Sequence, residues 1–310
     1  MRIIPAVTVF LLLLAVSMLL IRFASPEAVQ TEAVEKAVKP NLTGVKSGEI
    51  AGYLRKVVGF GSRFLGHRGC EEAALYIASL FKERGLEVYL DNFSLGRFKG
   101  VNVVGVKRGE GLEDMWVIVC AHYDTSPGTR GADDNGTGVS VLLWLSGKLE
   151  NNTLNKTIVL IAFSGEEVGL AGSEHYVEQY FEELTAHRAV VINIDAVGYG
   201  EHLWITAGPP PITQESARLM KLMLKKAEEM NITIKKANYV LASDHLPFKR
   251  HGIPSVAVTE SLLNPYLHSV EDSLDKVNME TVCKAAKLVW ETLKELCKTG
   301  ERVPKGLSTQ

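Results

Sequence analysis

Over most of the chain, hydrophobic and polar residues form two kinds of pattern, which follow one another in turn. Short, uninterrupted apolar runs such as 116–121 and 157–163 are typical of strands that are buried on both faces. Between them, segments such as 138–149 repeat apolar residues with helical spacing. In chain order, the patterns predict strands at 86–90, 101–106, 116–121, 157–163, 189–194, 203–207 and 255–259, and helices at 49–58, 71–84, 138–149, 173–184, 213–230 and 279–297.

This interleaving of strands and helices predicts the α/β class, with a largely parallel or mixed sheet sandwiched by helices. A chain of 310 residues is long enough for one large core, because a chain of roughly 300 residues buries about 75% of its unfolded surface. The sequence shows no internal repeat. We therefore expect a single folded domain at residues 47–303 and a short tail at 304–310.

The N-terminal pattern is different, because residues 3–21 form a run of 19 residues without a charge between Arg2 and Arg22. As a helix this run would be roughly 28 Å long, which is nearly enough to span a bilayer. The segment that follows offers no clean small-residue cleavage site. We expect residues 1–24 to be a signal anchor, with a cleaved signal peptide as the alternative, and residues 25–46 to be a stalk or linker.

Composition excludes two broad classes of protein, those that bind nucleic acid and those that are mostly disordered. Lys and Arg number 34 against 36 Asp and Glu, which gives a net charge of −2, and a near-neutral chain lacks the positive charge on which nucleic-acid binding depends. A hydrophobic content of 46% excludes a mostly disordered chain. No nucleic acid is therefore expected as a partner, and the sequence does not indicate an oligomeric state.

Several asparagines begin Asn-x-Ser/Thr sequons, which are acceptors for N-glycosylation in an extracytoplasmic compartment. Their number favours a folded domain that is held outside the cytosol by the N-terminal segment, or secreted if that segment is cleaved. The sequons begin at Asn41, Asn92, Asn135, Asn151, Asn155 and Asn231.

Acidic and histidine residues follow the ends of three predicted strands. A single Asp after a strand is usually a turn or cap residue, but in open α/β sheets ligands bind beyond the carboxyl ends of the strands. Three such positions together therefore predict one site. The residues are His122 and Asp124 after the first of these strands, Glu166 and Glu167 after the second, and Asp195 after the third.

A glycine-rich loop at residues 131–138 lies between these strands and opens a predicted helix. The glycines alone would be compatible with a phosphate site, but no GxGxxG or GxxxxGK spacing is present. The adjacent carboxylates Asp133 and Asp134 would repel a phosphate. Carboxylate and imidazole groups in this density favour a divalent cation such as Zn²⁺.

Five ordered motifs make the resemblance to a known family specific, and the similarity extends from about residue 61 to residue 277. The chain resembles the M28 family of zinc aminopeptidases, which hold two metal ions. The motifs are Ala121-His122-Tyr123-Asp124, the loop 131–138, the segment 163–173 (FSGEEVGLAGS), Asn193-Ile194-Asp195 and Leu267-His268-Ser269.

The resemblance implies a role for each site residue. Two divalent ions, zinc in the cell and Co²⁺ or Mn²⁺ as substitutes in vitro, would be held by five ligands. Glu166 would be the general base that takes a proton from a metal-activated water, and Asp124 would orient the imidazole of the first ligand. The implied ligands are His122 and Asp195 for one metal, Glu167 and His268 for the other, and Asp134 for both.

The motifs also depart from the family pattern. Many members carry Met after the position of Asp195 and Tyr before that of His268, whereas this chain has Ala196 and Leu267. A tyrosine hydroxyl that could assist the developing oxyanion is therefore missing at 267. Two further tyrosines, Tyr239 and Tyr266, are candidates to replace it.

Other segments keep alternative interpretations open. The segment Ser243-Asp244-His245 resembles a pocket-lining segment of the family, or it is an ordinary helix cap. Asp272, four residues after the last candidate ligand, either supports the site or caps a turn.

The expected function is a dinuclear zinc aminopeptidase that acts on peptides. The alternatives are a glutaminyl-cyclase-like acyltransferase with one zinc ion, a non-catalytic binding ectodomain and a metal-dependent carboxypeptidase. A carboxypeptidase would need a cation for the substrate carboxylate, with Arg130, Lys249 and Arg250 as candidates.

Overall fold

The predicted strands assemble into one mixed sheet, which is eight-stranded within the described residues. The structure is a computed structural model that describes residues 39–111, 115–237, 242–261 and 263–298. The strands are β1 (Glu87–Leu95), β2 (Phe98–Lys107), β3 (Trp116–His122), β4 (Thr157–Phe163), β5 (Val190–Ile194), β6 (Leu203–Thr206), β7 (Ile234–Lys236) and β8 (Ser255–Thr259).

Helices connect most of these strands. They are α1 (Ser47–Val58), α2 (Arg68–Glu83), α3 (Gly138–Glu150), α4 (Ala171–Gln179), α5 (Phe181–Ala186), α6 (Gln214–Glu229), α7 (His245–Arg250) and α8 (Met279–Leu296). A π-helical turn at Ala132–Thr137 precedes α3, and a 3-10 turn at Leu274–Lys276 precedes α8.

The strand order is β1-β2-β4-β3-β5-β8-β6-β7. The four central strands β4, β3, β5 and β8 run parallel to one another, whereas β1 and β2 pair antiparallel with their neighbours. At the other edge, β6 pairs antiparallel with β8 and parallel with β7. The prediction of a largely parallel or mixed sheet in a single α/β domain is therefore confirmed. The parallel centre brings the carboxyl ends of β4, β3 and β5 to one edge of the sheet.

Successive side chains of the central strands pack into two different cores. On β3, Val117 and Val119 belong to a core that also contains residues of helices α1, α2, α3, α6 and α8, whereas Ile118 and Cys120 belong to a second core with residues of α4, α5 and α7. All of these positions are completely buried, which explains why the strand is an unbroken apolar run. A layer of helices covers each face of the sheet.

The structure differs from the predicted elements at several places. The helix expected at 173–184 is divided at Tyr180, whose φ of −114° and ψ of 22° end α4 before α5 begins. β1 is longer than expected because it pairs with β2 along its whole length as an exposed outer strand. The three-residue β7 was too small for the sequence pattern to indicate, whereas α7 is the short helix that the helix-cap interpretation of residues 243–245 implied.

The N-terminal predictions fall largely outside the described residues, which include neither the expected anchor nor the tail at 304–310. Of the expected stalk, residues 39–46 are described: Leu42 and Val45 pack against the core, and the Asn41 N–H donates to the Met230 carbonyl at 2.8 Å. Within the described part of the chain, no helix has both the length and the apolar character that a membrane span requires.

Candidate metal centre

The predicted site residues meet beyond the carboxyl ends of three adjacent parallel strands. β4, β3 and β5 are neighbours in the sheet, and each ends next to one group of candidates. This arrangement follows from the parallel pairing, since parallel strands present the same end at one edge. The candidates at this edge are His122, Asp124, Glu166, Glu167 and Asp195.

The carboxylate of Asp134 lies between two imidazole rings. Its Oδ1 is 3.1 Å from His122 Nε2, and its Oδ2 is 3.1 Å from His268 Nε2. The glycine-rich loop before α3 carries this side chain into the site, where its backbone departs from helical geometry at φ −103° and ψ 95°. Each oxygen of one carboxylate therefore faces a separate histidine.

The six side chains form two groups, each with atoms that could bind one metal ion. One group is His122, Glu166 and Asp195, and the other is Asp134, Glu167 and His268; within each group the possible ligand atoms lie within 4.8 Å of one another. His122 Nε2 is also 3.3 Å from Asp195 Oδ1. The two groups adjoin through Asp134.

The donor set fits zinc. Imidazole nitrogens and carboxylate oxygens are its usual ligands besides thiolates. The Oε1 atom of Glu167 is buried without a hydrogen-bond partner among the described residues, whereas its Oε2 accepts a bond from Ser126 Oγ at 2.6 Å. A buried carboxylate oxygen without a partner is costly unless it binds a cation. The residues present therefore suit a zinc site.

The charges within the site shift the pKa values of its members. Burial by itself lowers the pKa of His122, but nearby Glu166 and the carboxylates that contact the ring outweigh it and raise that pKa well above its usual value. A hydrogen bond with Asp134 raises the pKa of His268 to about 9. Burial would raise the pKa of Asp134, yet its two histidine partners hold it below the usual range.

The two adjacent glutamates have raised pKa values. Burial raises the pKa of Glu166 well above its usual value, and Asp195 and Glu167 add to the rise. Burial and the nearby Asp134 carboxylate raise the pKa of Glu167 to about 7. A raised pKa strengthens a carboxylate as a base, and a general base works best when its pKa lies near the operating pH.

Asp124 contacts both the first histidine and the two glutamates. Its backbone carbonyl is 3.2 Å from His122 Nδ1, and its Oδ1 is 3.6 Å from the same nitrogen. Its carboxylate oxygens also accept hydrogen bonds from the N–H groups of Glu166 and Glu167, each at 3.2 Å. Asp124 therefore lies next to the His122 ring, and its orienting role stays a prediction. The contact with the glutamate loop was not expected.

Asp272 supports the loop that carries Asp134. Its two oxygens accept hydrogen bonds from the N–H groups of Asp133 at 2.7 Å and Asp134 at 3.0 Å. The sequence left two interpretations of Asp272 open, a residue that supports the site or the cap of a turn. The structure shows that Asp272 contacts the loop that carries Asp134.

Asp133, within this loop, and Glu260 form a pair of buried carboxyl groups that the sequence pattern did not indicate. The Nδ2 group of Asn264 donates to Asp133 at 2.9 Å and to Glu260 at 2.7 Å. Burial and the neighbouring Asp133 raise the pKa of Glu260 to about 11, so this carboxyl is protonated at neutral pH. In the sequence, the only sign of this pair was that Glu260 directly follows the strand predicted at 255–259.

The segment Asp244-His245 is completely buried beside the site. Asp244 accepts a hydrogen bond from Ser173 Oγ at 2.6 Å, and burial raises its pKa to about 7. Neither ring nitrogen of His245 has a partner among the described residues. Burial, together with the charge of Lys249, lowers the pKa of His245 to about 3.

The departures from the family pattern lie next to these groups. Ala196 is buried and has a φ of 47°, and its N–H donates to Asn135 Oδ1 at 3.2 Å. Tyr266 packs edge-on against Tyr199, with ring centroids 6.1 Å apart. Tyr239, the other candidate hydroxyl, lies outside the described residues.

Comparison with known families gives one match over most of the folded body. The model of peptidase family M28 matches residues 102–293. Aminopeptidase YwaD of Bacillus subtilis is 32% identical over 222 residues, which are 67% of this chain and 47% of that protein. The chain thus spans about half the length of this relative. A probable leucine aminopeptidase of Arthroderma benhamiae is 26% identical over 279 residues, covering 81% of this chain and 74% of the relative.

Solved structures show the same fold. The zinc aminopeptidase BSAP from Bacillus subtilis superposes with a TM-score of 0.74 at 19% identity, covering 83% of this chain and 97% of that one. The glutaminyl cyclase of Porphyromonas gingivalis gives 0.69 at 20% identity, covering 81% and 98%. Because both identities are low and the two proteins differ in activity, these structures support the fold and not a particular reaction.

Proposed function

The chain belongs to peptidase family M28, and on that premise we propose that it is a zinc-dependent exopeptidase that removes residues from the free amino end of peptides. The curated relatives described above are named as aminopeptidases. The family model matches residues 102–293, which contain the candidate metal centre. The proposal concerns this catalytic body and its peptide substrates.

The observation that carries the proposal is the position of the Asp134 carboxylate between His122 and His268, at 3.1 Å from each. A carboxylate with one oxygen toward each of two imidazoles is suited to bind two cations at once. We therefore assign two zinc ions to the site, with Asp134 as the shared ligand. In this assignment His122 and Asp195 complete one set of ligands, and Glu167 and His268 complete the other.

Zinc bound in this way would polarise the scissile carbonyl and acidify a water molecule. Glu166 lies beside the first set of ligands, where its carboxylate would take a proton from the attacking water and return it to the leaving amine. Asp124 holds the backbone of Glu166 and Glu167 in place. The adjacent glutamates thus divide proton transfer and metal binding between them.

A small peptide panel tests the reaction. It comprises peptides with a free amino group, the same peptides N-acetylated, and peptides that begin with Gln. An aminopeptidase releases the first residue of the free peptides and leaves the acetylated ones intact. Cleavage of acetylated peptides from the other end would instead show a carboxypeptidase, and cyclisation of the Gln peptides without hydrolysis would show a cyclase.

Contacts in the structure disfavour two of the three cations that a carboxypeptidase could use. Of the cations considered for a substrate carboxylate, Arg250 is paired with Glu174 at 2.6 Å, and Lys249 donates to the Pro211 carbonyl. Arg130 is exposed. A non-catalytic ectodomain is disfavoured, because all five candidate ligands are present and meet in space.

We also propose that the catalytic body lies outside the cytosol, anchored by the N-terminal apolar run or released by its cleavage. Four of the sequon asparagines, Asn41, Asn92, Asn151 and Asn231, are exposed, which supports glycosylation there. Asn135 is completely buried and donates to the Ile194 carbonyl at 2.8 Å, so the folded protein does not offer it for modification. Carbonate extraction with protease protection distinguishes anchored from secreted protein, and a cytosolic, unprocessed chain would contradict both.

A further inference from the structure

Arg63 lies in the loop between α1 and α2, and its side chain is completely buried next to the candidate metal centre. All three guanidinium nitrogens donate to backbone carbonyls. Nε donates to Tyr123 at 2.7 Å, Nη1 to Arg130 at 2.6 Å and Nη2 to Gly131 at 2.9 Å. The side chain is thus fixed in one orientation by strong, charge-assisted bonds.

The three carbonyls belong to the two segments that carry the key ligands. Tyr123 lies between His122 and Asp124, whereas Arg130 precedes and Gly131 begins the loop 131–138 that carries Asp134. The guanidinium therefore joins the end of β3 to the start of that loop. On the other side of the loop, Asp272 binds the N–H groups of Asp133 and Asp134.

The packing around the guanidinium is tight. Gly131 has a φ of 53°, and a Cβ atom added there would be 3.1 Å from Arg63 Nη2 and 2.1 Å from the Asp134 carbonyl oxygen. A side chain at 131 would therefore push the loop and the guanidinium apart. The absence of a Cβ at this position lets the loop close around the arginine.

The charge of Arg63 also acts on the site. Burial lowers its pKa to about 10, so it remains a cation at neutral pH, and the carboxylates of Asp124, Asp272 and Asp134 favour that charge. Its hydrogen bonds go to carbonyls, so it leaves the carboxylate oxygens free for a metal. A lysine would place one ammonium here and could not reach three carbonyls in a plane.

We propose that Arg63 is a positioning residue that fixes the distance between His122 and Asp134 and thereby sets the zinc affinity of the centre. It contacts neither substrate nor metal and acts through the two backbone segments that it joins. The inference rests on the proposed function, since it presumes that the centre binds zinc. It adds a residue outside all five motifs on which the resemblance was based.

Zinc binding by the purified, metal-free full-length chain tests this inference, measured by competition with a chromophoric chelator. Wild type, Arg63→Lys and Arg63→Gln are compared, and folding of each is checked by circular dichroism. Residues that orient metal ligands typically contribute about 10- to 100-fold to metal affinity, and a loss of this size is expected in both variants. Folded Arg63→Lys protein with wild-type zinc affinity would overturn the inference.

Arg84 supplies the matched control. It is a partly buried arginine that donates to the Leu143 carbonyl and to Ser146 Oγ, between helices and without contact to the candidate ligands. Arg84→Gln should lower thermal stability and leave zinc affinity unchanged. If it weakens zinc as much as Arg63→Gln does, the effect is general destabilisation and the inference is wrong.

A second variant approaches the same contact from the loop. Gly131→Ala leaves Arg63 in place but brings a Cβ atom to 3.1 Å from its Nη2 and 2.1 Å from the Asp134 carbonyl oxygen, so the loop must shift and zinc binding should also weaken. If the Arg63 variants do not fold, this variant decides: wild-type affinity in folded Gly131→Ala protein overturns the inference. Failure of the wild-type chain to bind zinc would instead refute the proposed function, so the two failures can be told apart.

Discussion

The Oδ2 atom of Asp124 accepts a hydrogen bond from the backbone N–H of Glu167 at 3.2 Å and so joins the end of β3 to the loop after β4. The other oxygen accepts the Glu166 N–H at 3.2 Å and lies 3.6 Å from His122 Nδ1. The Asp124 carboxylate thus positions the candidate ligand His122 at the end of β3. It also positions the candidate base Glu166 and the candidate ligand Glu167 in the loop after β4.

Replacing Asp124 by Asn should therefore damage zinc binding and turnover together. The amide keeps the shape of the carboxylate, but one of its two ends donates, so it cannot accept both N–H groups. We expect zinc affinity and kcat to fall by about 10- to 100-fold. Chelator competition and steady-state kinetics measure the two effects.

Asp91→Asn is the matched control, because Asp91 is a buried carboxylate on the outer strand β1 that binds Asn102 and His175 and none of the candidates. It should retain wild-type zinc affinity. An Asp124→Asn enzyme with normal affinity and normal turnover would show that Asp124 has no positioning role.

Glu166 and Glu167 should fail in different ways when each is replaced by Gln. Glu166→Gln keeps its size but cannot accept a proton from water, so both zinc ions should remain while kcat falls by about 10² to 10⁴. KM should change little, because proton transfer is felt in the transition state. Glu167→Gln should instead weaken zinc binding.

Metal content and turnover, measured for both variants, separate these roles. A fully active Glu166→Gln enzyme would remove Glu166 from the mechanism. Loss of one zinc ion from that variant would make Glu166 a ligand, in agreement with its place beside His122 and Asp195.

Much of this centre could be predicted because its residues follow buried parallel strands. The apolar runs that end near His122, Phe163 and Ile194 locate the strand ends, and parallel pairing then brings the following residues together. The helices around them could be predicted from their amphipathic spacing. These are local patterns that a sequence displays directly.

The supporting contacts could not be predicted in the same way. Arg63 binds carbonyls that are 60 to 68 positions away in the sequence, and Asp272 binds N–H groups 138 and 139 positions away. Backbone acceptors and donors have no residue signature. The buried sequon at Asn135 shows the same limit, because a local motif does not reveal burial.

The shared position of Asp134 predicts a particular pattern of metal loss. Asp134→Ala removes a ligand from both sites, so the variant should retain less than one zinc ion under conditions in which wild type binds two. His268→Ala removes a ligand from one site only, and it should retain one ion. Elemental analysis after gel filtration measures the zinc content of each protein.

His175→Ala is a suitable control for histidine loss, since His175 pairs with Asp91 away from the centre. A strong chelator should abolish activity in wild type, and added Zn²⁺ should restore it. The assignment of Asp134 as a shared ligand is wrong if Asp134→Ala and His268→Ala each retain one ion. A wild-type chain that binds only one ion would favour the cyclase-like alternative.

The buried His245 should make the folded state sensitive to mild acid. Burial lowers its folded pKa to about 3, whereas an unfolded histidine has a pKa near 6.5. As pH falls below about 6.5, the unfolded chain gains a proton that the folded chain cannot accept until about pH 3, so stability declines over this window. At about pH 5 the loss from this residue is about 2 kcal/mol relative to pH 7.5.

Urea unfolding of wild type and His245→Phe, each at about pH 7.5 and about pH 5, isolates this contribution. A chelator is present throughout, so that zinc release does not add to the change. Phe keeps the buried ring and cannot titrate, so the variant should lose less stability in acid than wild type, by about 2 kcal/mol. His67→Phe, at an exposed position, should retain the acid sensitivity of wild type. Equal losses for wild type and His245→Phe would show that His245 accepts its proton in the folded state.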